Sequence, residues 1–170
     1  MTFVTRLAFE PTESTSLRTD YVTVFIDGQR FGLEIGSVRD VFMAGAVTKV
    51  PLAPPAVAGL INLRGRVVTA ICMRKLLRLP AERPAPGAMV VGIERGGESF
   101  GFIVDSVGEV VSVMDGDCQP NPLNLDPRWA SFSRGIHWLS EGLLVVLDID
   151  AMLAPSALAP ALPLARETEP

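Results

Sequence analysis

Residues 59–77 read GLINLRGRVVTAICMRKLL, and this stretch decides the fold. Apolar residues alternate with other residues on both sides of the Arg64 and Gly65 pair, as they do in two strands that bury one face. Gly65 can adopt a positive φ at no steric cost, which suits a tight turn. The stretch therefore predicts a β-hairpin that carries Arg64 at its tip, with the guanidinium group projecting into solvent.

Composition restricts the class of protein. The chain has 170 residues, of which 48% are hydrophobic, and this suffices for a packed core in one compact domain or two very small ones. The net charge is −4 and Lys and Arg form no stripe, so we expect no nucleic-acid partner. No stretch reaches the roughly 20 apolar residues that span a bilayer, so we expect no direct membrane insertion.

Cysteine usage and the chain ends suggest a cellular compartment. Cys72 and Cys118 have no short metal-ligand spacing, and a single histidine cannot complete a zinc site with them. We expect two reduced thiols in a cytoplasmic protein, without metal or cofactor. Residues 1–19 lack the apolar core of a secretory signal and are predicted to be a flexible lead-in, whereas 154–170 form a Pro/Ala-rich tail.

The chain on either side of the opening hairpin also favours strands. A first hairpin is predicted to turn at Asp27 and Gly28, and residues 38–43 continue as a third strand. Residues 73–79 are long enough for about two helical turns before Pro80 ends them. A further apolar hairpin is predicted over residues 89–104.

The chain contains an internal repeat. Residues 31–41, FGLEIGSVRDV, align with residues 100–110, FGFIVDSVGEV, at a shift of 69, and five of eleven positions are identical. Residues 59–77 align with residues 135–153 at a shift of 76, mainly through apolar positions. We assign the seven extra residues of the second copy to the Pro- and Asn-rich loop 116–127. Two strand-rich copies, each ending in a short helix, predict an all-β fold of two small barrels side by side.

The two copies differ at the hairpin tip. Arg64 aligns with Ser140 and Gly65 aligns with Glu141, so the arginine belongs to the first copy alone. A solvated turn residue is one interpretation. The other is an anchor for a protein contact, because arginine is enriched at binding hot spots, with an acid such as Asp40 holding it in place.

A second difference concerns helix capping. Cys72 aligns with Asp148 at the point where a strand runs into a helix. An aspartate there accepts hydrogen bonds from the first free N–H groups, whereas cysteine is a poor cap, and the loss is about 0.5–2 kcal/mol. We expect Cys72 to be packed rather than reactive.

One segment matches a hydrolase motif. Residues 97–101 spell GxSxG around Ser99, and Asp126 and His137 follow in hydrolase order. That motif requires a strand, a sharp turn and then a helix, but the residues after Ser99 have the pattern of a strand. We therefore predict a turn serine, a core or semi-buried His137 and no catalytic or metal-binding residue. A small serine hydrolase that uses Ser99 is the alternative from another functional class.

Four segments resemble the CheW-like coupling proteins of bacterial chemosensory arrays. They are FGLEIGSVRDV at 31–41, GLINLRGRVV at 59–68, FGFIVDSVGEVV at 100–111 and LLVVLDIDAML at 143–153. The resemblance covers roughly residues 20–153. It implies two pseudo-repeated five-stranded SH3-like β-barrels packed together, with short helices after the strands near 72 and 148. The first unit would lie mainly in 20–80 and the second mainly in 88–153, and strand exchange between them is left open.

The resemblance also implies a function. It predicts a non-catalytic cytoplasmic adaptor of chemotaxis that is recruited to membrane-associated chemoreceptor arrays. The implied partners are the regulatory domain of the histidine kinase CheA and the cytoplasmic tips of methyl-accepting chemoreceptors. A regulatory scaffold of a non-flagellar chemosensory pathway remains an alternative that the sequence does not separate from this one.

The resemblance assigns site residues as well. The functional arginine of the family falls on Arg64, and its nearby acid falls on Asp40. The full predicted coupling set consists of Arg64, Asp40, Val38, Ile35, Gly59, Asn62 and Gly65. Met89 and Gly101 fall on the candidate kinase-facing part of the second barrel. Cys72 departs from the aspartate usual in the family, which affects helix capping more than function.

Overall fold

The computed structural model describes residues 17–79 and 88–155. In these ranges the chain forms the strands β1 (Arg18–Ile26), β2 (Gln29–Glu34), β3 (Val38–Met43), β4 (Val57–Leu63), β5 (Arg66–Cys72), β6 (Met89–Arg95), β7 (Glu98–Val104), β8 (Ser106–Met114), β9 (Ser133–Leu139) and β10 (Gly142–Leu147). The short helices are α1 (Met73–Leu76), α2 (Pro127–Ala130) and α3 (Ile149–Leu153), with 3₁₀ turns at Ile35–Ser37 and Asp115–Asp117. Most of the predicted lead-in and tail lies outside the described residues.

The strands form two five-stranded sheets. Sheet I has the order β3-β6-β7-β5-β4, and sheet II has the order β8-β1-β2-β10-β9. The predicted all-β fold of two five-stranded units with short helices is confirmed. Each sheet takes three strands from one sequence copy and a hairpin from the other: β6 and β7 join sheet I, whereas β1 and β2 join sheet II.

Strand register confirms the internal repeat. In sheet II, Phe31 of β2 lies opposite Val145 of β10 in a parallel pair. In sheet I, Phe100 of β7 lies opposite Thr69 of β5, also in a parallel pair. The two pairs are related by the shifts of 69 and 76 found in the sequence. The two copies therefore share strand pairing as well as residue pattern.

Gly59 and its counterpart Gly135 have the same backbone role. Their φ angles are +147° and +151°, and a Cβ would lie 2.2 Å from the Thr48 oxygen in one case and 2.8 Å from the Gln119 oxygen in the other. Only glycine fits such an approach without displacing the backbone. Thr48 and Gln119 thus occupy equivalent positions, which differ by 71 residues.

This equivalence divides the insertion into two parts. Because the shift is 69 before these positions and 76 after them, about two of the seven extra residues precede Gln119, and about five lie between Gln119 and Gly135. The point of division, Gln119, lies within the predicted loop 116–127.

The main hydrophobic core joins the two sheets. Phe31 of sheet II and Phe102 of sheet I are fully buried and belong to one cluster that draws on both sheets. Side chains on the opposite faces form smaller clusters within each sheet, around Val90 in sheet I and Leu144 in sheet II. Strands β6, β7 and β10 consequently bury both faces, which explains their apolar-rich sequences.

Asp105 connects the two sheets where the chain passes from β7 into β8. Its carboxylate accepts hydrogen bonds from Arg74 Nε at 3.0 Å and Nη2 at 2.7 Å, and from the Asp27 amide at 2.7 Å. Its own amide donates to the Phe25 carbonyl at 3.0 Å. Burial by itself raises the pKa of Asp105, but the hydrogen bonds from Arg74 and the Asp27 amide outweigh it, and the pKa is lowered. The ionised form is therefore stabilised by folding.

The helix starts reproduce the capping difference seen in the sequence. Asp148 Oδ1 accepts a hydrogen bond from the Ala151 amide at 3.2 Å, at the start of α3. Cys72 holds the same position before α1 and makes no side-chain capping bond. The predicted helix is shorter than expected, since it ends at Leu76 and Arg78 adopts a φ of +62° before Pro80 is reached.

We predict that Cys72→Asp stabilises the protein and that Asp148→Ala destabilises it, each by about 0.5–2 kcal/mol. The first change adds a cap acceptor at a position with the right backbone geometry, and the second removes one. Urea unfolding followed by circular dichroism measures both. A Cys72→Ala variant is the control for loss of the thiol, and equal unfolding midpoints for Cys72→Asp and Cys72→Ala would contradict the capping role.

We predict that Asp105→Asn lowers the free energy of unfolding at pH 7 by about 1–3 kcal/mol, because Arg74 then faces a neutral group in a partly buried contact. The pKa of Asp105 is lowered in the folded state, so its contribution exists above the ordinary carboxyl pKa of about 4 and is lost as pH falls below it. The difference between wild type and variant should shrink at about pH 3. A difference that is the same at both pH values would contradict this assignment.

Candidate functional site

The β4–β5 turn has the predicted form. Arg64 adopts a φ of +54° and Gly65 a φ of +83°, so both turn residues have positive φ, as a two-residue type I′ hairpin turn requires. The Asn62 side chain accepts a hydrogen bond from the Gly65 amide at 2.9 Å. Arg64 is exposed at the tip. The prediction of a projecting arginine is confirmed, and Asn62 fixes the turn that carries it.

The equivalent turn of sheet II differs in shape as well as in charge. Ser140 and Glu141 connect β9 to β10 without positive φ, and Gly142 has a φ of +132° instead. The backbone conformation of the β9–β10 turn therefore differs from that of the turn that carries Arg64. This difference supports a role for Arg64 that the second copy lacks.

Asp40 pairs with a different arginine from the one expected. Its carboxylate lies 3.5 Å from Arg66 Nη2, and within residues 17–79 and 88–155 Arg64 makes no ion pair. The Asp40 side chain also lies over Gly92, where a Cβ would come within 2.2 Å of Oδ1. The expectation that Asp40 holds Arg64 is thus wrong. In β5, Arg66 shares the inward face of Val68, whereas Arg64 projects from the turn.

Six of the predicted coupling residues lie toward one end of sheet I, which we call the Arg64 end. It consists of the start of β3 and the β4–β5 turn, and it contains Ile35, Val38, Asp40, Asn62, Arg64 and Gly65. Ile35 is 42% exposed, and Val38 is half-buried against the main core. The Arg66 contact with Asp40 joins β5 to β3 across this end. We did not predict a role for Arg66 from the sequence. The signal was available, because Arg66 and Val68 are two residues apart in a strand and therefore share a face.

The remaining predicted site residues lie elsewhere. Met89 starts β6 at the opposite end of sheet I, where it pairs with Met43. Gly59 is buried against Thr48, and Gly101 is buried with its missing Cβ only 2.5 Å from Val90 Cγ1. Both glycines therefore permit close packing and offer no side chain to a partner.

The residues of the hydrolase motif do not converge. Ser99 lies within β7 of sheet I, just after the turn in which it was predicted, and not on a strand-to-helix turn. His137 is 2% exposed in β9 of sheet II. Asp126 caps α2 and pairs with Arg128, whose hydrogen bonds lower the pKa of Asp126 to about 2. Ser99 therefore lacks the sharp turn that a hydrolase nucleophile requires, Asp126 is a helix cap, and His137 is buried in the other sheet.

Other classes of site can be assessed in the same way. Among residues 17–79 and 88–155, no group of three potential His, Cys, Asp or Glu ligands could hold a metal ion. In the same part of the chain, no helix is long and apolar enough to cross a membrane. The main candidate site is an exposed, preorganised turn at one end of a duplicated β-fold. Such a turn is typical of a protein that acts through its surface.

Comparisons with known proteins agree with this class. Residues 20–156 match the model of the CheW-like domain. The chemotaxis protein CheW of Rhizobium meliloti is 28% identical, over 75% of this chain and 82% of the relative. CheW of Thermotoga maritima is 27% identical, over 75% and 83%. The scaffolding protein TtCheW of Thermoanaerobacter tengcongensis has the same fold, with a TM-score of 0.71 and 24% identity over 81% of this chain and 94% of that one.

The fold and the match to the CheW-like domain thus define an adaptor module built from two SH3-like barrels. The chain belongs to the CheW-like family and is a chemotaxis coupling adaptor. None of these comparisons supports the serine hydrolase alternative.

His137 provides a pH-dependent test of the core assignment. Burial lowers its pKa, against an opposing effect of Asp117 and Asp115. As pH falls through about 6.5, the unfolded chain therefore gains a proton before the folded chain does, and stability present above that pH is lost. We predict that His137→Ile, which copies Ile61 of sheet I, reduces the loss of stability between about pH 8 and pH 5.5.

The measurement is urea unfolding at the two pH values. The chain has one histidine, so the difference between wild type and variant reports on this group alone. If both proteins lose the same stability on acidification, the buried neutral state assigned to His137 is incorrect.

Proposed function

We propose that this protein couples methyl-accepting chemoreceptors to the histidine kinase CheA and catalyses no reaction itself. It would bind the cytoplasmic tips of the receptors and the regulatory domain of the kinase, and it would join membrane-associated arrays from the cytoplasm. The CheW-like domain and the chemotaxis CheW relatives support this assignment. The absence of a converged triad around Ser99 is consistent with it.

The Arg64 turn is the observation that carries the proposal. Arg64 is exposed, and the Asn62 bond to the Gly65 amide limits the conformations of the turn before any partner arrives. Preorganisation reduces the entropy lost on binding, and the guanidinium group supplies several directed donors. The counterpart Ser140 offers neither feature, so the first copy alone supplies this anchor.

The rest of the Arg64 end provides apolar surface beside the anchor. Ile35 and Val38 lie where the chain crosses from β2 into β3, and Ile35 is 42% exposed. We assign these two residues to the contact with a receptor helix hairpin, with Arg64 orienting it. Arginine beside apolar side chains is a common composition of binding hot spots.

The kinase contact is assigned to the opposite end of sheet I. Met89 is half-buried there, and its partner Met43 is 67% exposed. Methionine side chains adapt to irregular apolar partners, which suits the docking of another barrel. A receptor at one end and a kinase domain at the other would be held in a defined relative position by the rigid sheet between them.

We predict that Arg64→Ala weakens assembly by about tenfold or more, since truncating a hot-spot arginine costs over ~1–2 kcal/mol. Arg78→Ala is the matched control. Arg78 is also exposed and also has a positive φ, at +62°, so both variants place alanine in the same backbone conformation. Binding to a receptor cytoplasmic fragment and to the CheA regulatory domain is measured separately by sedimentation.

Both variants should unfold at nearly the same denaturant concentration, because the backbone strain is alike. If Arg64→Ala shows normal ternary assembly and normal kinase control, the assignment of Arg64 to the coupling surface is wrong. Equal losses with Arg64→Ala and Arg78→Ala would show that only the reduced positive charge matters.

A further inference from the structure

A polar cavity of about 330 Å³ opens at one end of sheet II. Tyr21 of β1 and His137 of β9 lie at its floor, with ring centroids 6.0 Å apart. Glu34, Asp115, Cys118 and Arg134 contribute to its wall. The cavity is on a different sheet from the Arg64 turn, and the proposed coupling contacts do not use it.

The two floor residues are polar groups without protein partners. Tyr21 is 8% exposed and His137 is 2% exposed, so each is more than nine-tenths buried. Within the described residues, neither side chain makes a hydrogen bond. Neither residue has a fully buried polar atom without a partner, so the polar atoms of Tyr21 and His137 reach the cavity that both residues line. There they are open to hydrogen bonds with a ligand.

The internal repeat shows what this end of a barrel looks like without a site. By strand register, Tyr21 corresponds to Val90 of sheet I and Glu34 corresponds to Ile103. His137 corresponds to Ile61, through the shift that relates Gly135 to Gly59.

In sheet I, these counterparts pack together in one closed apolar cluster. The remaining wall positions change in the same way, since Arg134 and Cys118 correspond to Ala58 and Val47. A barrel end that is apolar and closed in sheet I but polar and open in sheet II points to a function specific to sheet II.

The charges around the cavity favour a cation. Glu34 and Asp115 are acidic, and Arg134 is the one basic group among the residues of the cavity wall. The pKa of Tyr21 is raised by burial first, and then by Cys118 and Glu34, with Arg134 opposing. Two carboxylates and one guanidinium group give the cavity wall a net negative charge. A negative cavity attracts an ammonium group through its carboxylates, and the Tyr21 hydroxyl oxygen and a neutral His137 ring nitrogen can accept hydrogen bonds from it.

We propose that the cavity floored by Tyr21 and His137 binds a small ammonium compound, with Glu34 and Asp115 holding the charged nitrogen. Two sources share this chemistry. A simple amine needs only the carboxylates and the hydrogen-bond acceptors of Tyr21 and His137. An α-amino acid also has a carboxylate, which Arg134 would bind. Arg134 Nη1 lies 3.6 Å from Glu34 Oε1, so the ligand would first separate this pair.

The full-length protein suits a direct test, because Tyr21 and His137 are its only tyrosine and its only histidine. Their ring proton resonances in an NMR titration report on the cavity without ambiguity. Putrescine and ethanolamine are the amine probes, alanine and serine are the amino-acid probes, and sodium acetate tests an anion. We expect saturable shifts of both rings, with a Kd of about 1 mM or lower for the source that fits.

Glu34→Gln should weaken binding about tenfold, because it removes a charged acceptor. Glu109→Gln is the matched control, since Glu109 is exposed on β8 and lies outside the cavity. A double variant, Tyr21→Val with His137→Ile, copies the closed sheet I and should abolish binding, as monitored by calorimetry.

The outcomes separate the sources and can overturn the proposal. Shifts with amines and amino acids alike support an ammonium site, and shifts with amino acids alone that Arg134→Gln removes support an amino-acid site. Shifts with acetate alone would overturn the proposal, as would no saturable shift with any probe. It would also be overturned if Glu34→Gln and Glu109→Gln weakened binding equally. These results leave the role of Arg64 in coupling unaffected.

Discussion

The burial of both faces of the central strands is the constraint on which the rest of the structure depends. Strands β7 and β10 each direct one face into the core between the sheets and the other into their own sheet. A strand buried on both sides belongs in the middle of a sheet, with neighbours on both edges. Each copy satisfies this by placing its first hairpin in the sheet of the other copy. Asp105 and Arg74 then join the sheets at a point where the chain crosses between them.

This arrangement leaves the ends of the sheets free to diverge while their centres stay alike. The parallel pairs and the buried glycines Gly59 and Gly135 coincide in the two copies. The β4–β5 turn carries an exposed Arg64 that the other sheet lacks, and the mouth of sheet II is open and polar where sheet I is closed. A duplicated scaffold can therefore carry a surface contact on one unit and a cavity on the other without any change to the shared core.

Local patterns in the sequence were sufficient to predict much of the fold and of the candidate site. Alternation and the Arg64 and Gly65 pair predicted the hairpin and its exposed arginine, because turn geometry depends on adjacent residues. Comparison of the copies predicted the cap at Asp148 and its lack at Cys72, since a cap acts within one turn of helix. The sequence alone did not predict most features that depend on the register between strands distant in the chain. Asp40 was assigned to Arg64, yet the fold brings it to Arg66 through the pairing of strands that are distant in the sequence.

The sequence by itself determined the strand class, the repeat and the position of the Arg64 turn, because each arises from residues close together in the chain. Only the tertiary structure decided which hairpin enters which sheet, that Gly101 is a packing residue, and that Tyr21 and His137 share one cavity. Tyr21 lies in the first copy and His137 in the second. The reason they meet is physical: hairpin exchange places strands of both copies in one sheet, where burial of their apolar faces in a shared core favours the arrangement, and it carries residues of both copies to the same barrel end.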